Sequence, residues 1–111
     1  MKTFINNDCT FYVGRNAKEN WKLLNKAEPD DVWVHLADCS SPYVIIVLSF
    51  GNTQMTMDDI LYGCDLCKKY SHKRDYKENK TKVNYTEIRN VKKGKVVGEA
   101  ILDVSPCVIT I

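Results

Sequence analysis

Short runs in which hydrophobic and polar side chains alternate every second residue dominate the chain, and two longer stretches repeat every three to four residues. In Val32-Trp33-Val34-His35-Leu36 the alternation puts Val32, Val34 and Leu36 on one face of a strand and Trp33 with His35 on the other. Tyr43 to Leu48 is apolar at nearly every position, which predicts a central strand covered on both faces. Phe4 to Asn6 and Cys9 to Val13 read as two short strands around an Asn7-Asp8 turn. Further strands are expected at Lys82 to Glu87, where Val83 and Tyr85 alternate against Lys82 and Asn84, and at Ile88 to Val91. Two more follow, at Val96 to Asp103 after a Lys93-Gly94-Lys95 turn and at Val108 to Ile111 after Pro106.

Helical spacing occurs twice. From Asn16 to about Ala27, Asn16 suits the N-cap, Glu19 can reach back to it, Trp21 and Leu24 supply an apolar stripe, and Pro29-Asp30 ends the run. From about Met57 to Arg74, the stripe Met57, Ile60, Leu61, Cys64, Cys67 follows a Thr56 cap with Asp59 at the third helical position. The order of strands and helices predicts an α+β fold: a single domain over residues 1–111, with a mostly antiparallel or mixed sheet and two helices.

Composition fits that picture. With 111 residues, 44% hydrophobic and 27% charged, the chain has apolar material for one core and no run approaching the ~18 residues of a membrane span. Met1-Lys2-Thr3 leads into Phe4-Ile5-Asn6-Asn7 without the apolar region of a secretory signal, so a reducing, cytoplasmic setting is expected. Cysteines at 9, 39, 64, 67 and 107 show no framework spacing, and disulfides are not expected. Cys64-Asp65-Leu66-Cys67 has the spacing of a redox pair or half a zinc site, with His72 the nearest extra ligand. The same two residues lie on the helical apolar stripe, where a thiol packs as a small hydrophobe. The reading adopted is packing, with no metal and no cofactor.

The net charge of +2 hides a strong asymmetry. Lys68 to Lys95 holds eleven Lys and Arg against Asp75, Glu78 and Glu87, a local +8, while the remaining residues carry −6. Lys68, Lys69, His72, Lys73 and Arg74 suit the end of a helix, whose dipole favours cations. Lys77, Lys80, Lys82, Arg89, Lys92, Lys93 and Lys95 continue the charge beyond it, interleaved with Tyr70, Tyr76 and Tyr85. Such a segment is either a face for a polyanion or a solvated surface.

Three smaller constellations remain open on spacing alone. Gly14-Arg15-Asn16-Ala17-Lys18 is a strand-to-helix junction where a phosphate could meet free backbone N–H groups beside Arg15 and Lys18, or an ordinary capped helix start. Trp33 and His35 could stack on bases, or Trp33 could be core with His35 a hydrogen-bonding neighbour. Asp30, Asp31, His35 and Asp38 form no recognisable nucleophile, base and orienter, and the chain is read as non-catalytic.

Val13 to Asn20 (VGRNAKEN), Pro29 to His35 (PDDVWVH) continuing to Ser41-Pro42-Tyr43-Val44, and Tyr85 to Gly94 (YTEIRNVKKG) together resemble the NFACT-R domain in order and spacing across nearly the whole chain. That family is the RNA-binding module of ribosome quality-control factors of the RqcH type and of small stand-alone relatives. The resemblance puts Arg15, Asn16, Lys18 and Asn20 in the family's first motif, Trp33 and His35 in its second, and Asn90, Lys92 and Lys93 in its third. Two departures are visible: the family's "PGSHV" turn is replaced by Ser40-Ser41-Pro42-Tyr43-Val44, which removes a second histidine, and no proline follows Lys93.

The resemblance implies a nucleic-acid-binding module for structured RNA, tRNA or rRNA, in translation or ribosome quality control. Arg15 and Lys18 would hold phosphate, Lys73, Arg74, Lys92, Lys93 and Lys95 would track the backbone, and His35 with Asn90 would orient the groove. A protein-docking adaptor of the ribosome or a quality-control partner, and a DNA-binding module, are the alternatives. No membrane partner is expected, and the sequence leaves the oligomeric state unread.

Overall fold

Each strand of the chain is short, so the sheet is assembled from many of them. The computed structural model describes residues 1–37, 41–48, 55–71 and 80–111. Strands β1 (Lys2–Asn6) and β2 (Cys9–Val13) form a hairpin whose turn places Asn7 at φ 53, a left-handed conformation that Asn tolerates better than most residues. After helix α1 (Ala17–Lys26) come β3 (Val32–Leu36) and β4 (Val44–Leu48), then helix α2 (Met57–Lys69) and β5 (Lys82–Glu87). A 3₁₀ turn (Ile88–Asn90) leads into β6 (Val91–Lys93), β7 (Ala100–Leu102) and β8 (Cys107–Thr110). Six strands form one antiparallel sheet in the order β1-β2-β4-β3-β5-β8, and β6 pairs with β7 in a separate ribbon. Among the described residues the fold is α+β with two helices, as the order of elements predicts.

The sheet has two cores. On one face Phe11, Val13, Val34, Leu36, Val44, Ile46 and Val83 meet Cys64, Leu66 and Cys67 of α2. On the other, Trp33, Tyr43 and Ile45 meet Leu23 of α1 and Val91 of the ribbon. The run from Tyr43 onward is apolar throughout because β4 is central and covered on both sides. Gly63 lets α2 approach closely, since a Cβ there would stand 2.7 Å from Ile46 Cδ1.

Both helices start where the sequence places them. Asn16 accepts a bond from the Glu19 N–H at 3.0 Å, and Thr56 with Asp59 forms a capping box. Three expectations are corrected. The second helix ends at Lys69 rather than near Arg74: Tyr70 caps it, and the sequence Ser71-His72-Lys73-Arg74 offers no apolar successor to the stripe. Ile88 to Val91 is a 3₁₀ turn entering a strand, because the Ile88 and Arg89 N–H groups bond to Asp31 O at 2.8 Å and Pro29 O at 3.2 Å, wrapping the chain around the α1–β3 loop. Within Val96 to Asp103 only Ala100–Leu102 is strand; residues 94 to 99 form a loop closed by Gly94 N–H to Glu99 O at 2.8 Å and turned at Gly98, φ 90. His72, Lys73 and Arg74 lie outside the described residues, as do Asp38 and Cys39.

Candidate nucleic-acid interface

A groove of about 720 Å³ opens on the α1 side of the sheet. Trp33, His35 and Asn84 line its floor: the strand alternation turns Trp33 and His35 away from α2, and the β3–β5 register sets Asn84 opposite His35. Arg15, Asn16, Ala17 and Asn20 at the start of α1 form one wall, the hairpin loop from Val96 to Ala100 forms another, and Ser41 with Pro42 lies at the entrance to β4.

The hairpin is fixed to the rest of the molecule by polar contacts over long sequence distances. Tyr43 Oη donates to Gly98 O at 2.6 Å, and Trp21 Nε1 donates to Glu99 O at 3.1 Å. Gly98 lies so close to α1 that a Cβ on it would be 2.6 Å from the Ala17 Cβ. Lys93 Nζ stands 5.3 Å from the Trp21 ring centroid, a cation–π contact. The hairpin loop and the helix start therefore border one groove, whose lining includes the cation Arg15 and the acid Glu99.

Asn20 sets the shape of the helix side. Its Oδ1 accepts the Tyr43 N–H at 3.0 Å, and its Nδ2 reaches Ser41 O at 3.4 Å, tying α1 to the start of β4. Gly14 is required beside it, because any Cβ would fall 2.1 Å from Asn20 Oδ1. Asn16 is occupied as the cap. Arg15 binds Glu19 through Nε and Nη2, at 2.7 Å for the latter, and this pairing holds the Glu19 carboxyl well below the usual carboxylate range. The two Nη1 protons of Arg15 remain for another anion.

His35 stacks on Trp33 with ring centroids 5.4 Å apart and 6° between planes, and Tyr43 meets both rings edge-on. Burial holds the His35 imidazole below its ordinary range, against the opposing bond to Leu36 O. That bond, 2.7 Å from Nδ1 to a carbonyl that can only accept, places the proton on Nδ1 and leaves Nε2 as an acceptor. Trp33 is 3% exposed and its Nε1–H has no hydrogen-bond partner. Trp33 thus belongs to the core and to the groove floor at once.

The other sequence-derived site residues do not line this groove. Lys18 is exposed in the first turn of α1. Asn90 donates from Nδ2 to Thr86 Oγ1 at 3.0 Å and supports the turn into β6. Lys92 pairs with Asp103 at 3.4 Å, and Lys95 is exposed on the hairpin loop. The basic segment is not one patch. Lys68 and Lys69 are on α2, across the sheet from the hairpin, where Lys68 Nζ bonds Ile111 O at 3.0 Å and Lys69 lies over Tyr70. Arg89 is taken up by Asp30 and Glu87.

The NFACT protein RNA-binding domain family matches residues 2–103. The chain belongs to this family. Among curated proteins, the NFACT-R chain is 32% identical to Coiled-coil domain-containing protein 25 of Danio rerio over 88 residues, which is 76% of the chain and 41% of the relative. It is 34% identical to the homolog from Dictyostelium discoideum over 74% of the chain and 40% of that protein. It is also 32% identical to the Rqc2 homolog RqcH of Bacillus subtilis over 76% of the chain and 14% of that protein. The chain thus spans well under half the length of these relatives. The fold is shared with the C-terminal part of the fibronectin/fibrinogen-binding protein from Streptococcus suis, with TM-score 0.78 and 19% identity over 93% of the NFACT-R chain and 40% of the other.

Sequence reading missed Asn84 and the Val96–Glu99 loop. Alternation with Val83 and Tyr85 assigns Asn84 to its face, but only strand register brings it beside His35. The valines at 96 and 97 look like strand residues and are instead exposed, 67% and 51%, on the groove rim. Among the described residues no group of three His, Cys, Asp or Glu side chains could hold a metal ion, and no helix is long and apolar enough to cross a membrane.

Proposed function

We propose that the chain is a non-catalytic module that binds structured RNA, tRNA or rRNA, in the cytoplasm during ribosome quality control. The observation that supports this reading is a groove floored by Trp33 and His35 and walled by the Arg15-bearing start of α1 and by the loop of the hairpin that carries Lys92, Lys93 and Lys95. The family's RNA-binding description and the ribosome quality-control relative support it. Phosphates would lie along the hairpin and the α1 start, with His35 and Asn90 ordering the surface between them.

The test is binding to unmodified tRNA at increasing salt, with duplex DNA alongside. About four phosphate contacts would weaken binding roughly a hundredfold between 50 and 200 mM salt. Replacing Lys92 and Lys93 together by Glu should abolish tRNA binding while leaving the fold intact. Affinity indifferent to salt would sink the reading, and equal affinity for duplex DNA would broaden it to a general nucleic-acid module. The exposed Val96 and Val97 favour a second reading, an adaptor docking on the ribosome or a quality-control protein. In that case the Lys92/Lys93 variant retains its protein partner and a Val96→Ser, Val97→Ser variant loses it.

A further inference from the structure

The floor of the groove carries more hydrogen-bonding capacity than the fold consumes. Trp33, one of its lining residues, is nearly fully buried and has an Nε1–H donor without a partner. That donor lies under the surface, so Trp33 serves the floor as the ring on which His35 stacks. Beside it, His35 offers Nε2 as an acceptor, since Nδ1–H is spent on Leu36 O. Opposite His35, the Asn84 amide, half-buried, makes no hydrogen bond to the described residues and supplies both a donor and an acceptor. The groups that the groove floor offers are therefore the His35 Nε2 acceptor and the Asn84 amide on neighbouring strands, with the Trp33 donor buried beneath them.

The surroundings narrow what fits. The rim above the floor is apolar at Val96, Val97 and Leu102, and the sheet continues past Asn84 to the exposed Val108, its register partner on β8. At the mouth stand Arg15, paired with Glu19 but with its Nη1 protons unspent, the acid Glu99, and Ala17, the first residue of α1, whose N–H is among those a helix start leaves without an intrahelical partner. A ligand matching these features is flat and partly apolar, carries adjacent donors and acceptors on its edge, and has an anion attached a few ångströms away. A nucleotide has that chemistry, and single-stranded RNA is read by proteins through such splayed bases. The volume, about 720 Å³, lies within the range of small-ligand pockets.

We propose that the groove receives one unstacked nucleobase of a bound RNA, its edge hydrogen-bonded to His35 Nε2 and the Asn84 amide, its face against the hairpin valines, and its phosphate at Arg15 and the start of α1. This rests on the RNA-binding reading above and adds that a looped-out or terminal nucleotide, not helical RNA alone, is recognised. Every base carries a donor next to an acceptor, so the groove separates base from no base more sharply than one base from another.

The experiment compares the full chain binding to nine-nucleotide poly(A), poly(C) and poly(U) with an abasic ribose-phosphate chain of equal length and charge, and to tRNA as reference. At least one base-bearing oligonucleotide should bind ten times more tightly than the abasic chain. That margin should vanish in Asn84→Ala and in His35→Phe, which keeps the stack on Trp33 and removes Nε2, while both variants keep the wild-type melting temperature within a few degrees. If the abasic chain binds as well as the oligonucleotides, or the margin survives both variants, the pocket does not take a base. Salt-dependent tRNA binding that persists in that case would leave the module's function standing, whereas no binding to tRNA at all would remove both readings.

Discussion

Asn20 and His35 show how single side chains near the groove serve the fold and the site together. Asn20 is buried with its carbonyl oxygen on the Tyr43 N–H. Asn20→Ala leaves that backbone donor buried without a partner and should lower the unfolding free energy by about 1–3 kcal/mol, measured by urea denaturation. His35 is neutral in the fold because burial opposes its charge. The unfolded chain takes up a proton near pH 6.5 while the folded chain resists it, so the His35 contribution is full above that pH and is lost as pH falls below it. Melting temperature should therefore fall more steeply between pH 7 and pH 5 in the wild type than in His35→Phe. Any loss from Glu19, whose folded carboxyl titrates far lower, belongs to a more acidic window and is common to both proteins.

At the scale of elements, the β6–β7 hairpin is the part least readable from the chain. Its strands hold three residues each, too few for an alternation to register, and its docking depends on Tyr43 Oη and Trp21 Nε1, which lie 55 and 78 residues from their acceptors. Tyr43→Phe should cost about 0.5–1.5 kcal/mol through the lost bond to Gly98 O. Gly98→Ala combines a left-handed φ with a collision against Ala17, and should displace the hairpin from α1. Hydrogen exchange would report it as faster exchange at Gly94 and Glu99, whose N–H groups close the loop. The helix starts were legible for the opposite reason: Asn16 with Glu19, and Thr56 with Asp59, act within three residues of each other.

Across the whole molecule, a sheet covered on both faces decides which groups are hidden and which are presented. Burial pushes the Cys9 and Cys64 thiols up to about 11 and about 12, whereas Cys107 is exposed on the edge strand β8. Iodoacetamide at pH 7.5 should label Cys107 in the folded protein and reach Cys9 and Cys64 only after unfolding, as read by peptide mass spectrometry. The same two-sidedness divides the basic segment, sending Lys68 and Lys69 to one side and Lys92, Lys93 and Lys95 to the other. Periodicity, capping residues and motif order in the sequence determined the α+β class, the strand faces, the helix starts and the family, because each is set by residues close along the chain. Where α2 stops, how the hairpin folds over α1, and the meeting of Arg15, His35, Asn84 and Val97 around one groove were decided only in three dimensions. Those features depend on register and on hydrogen bonds between distant segments, and no local pattern encodes which distant partner a strand or a carbonyl will find.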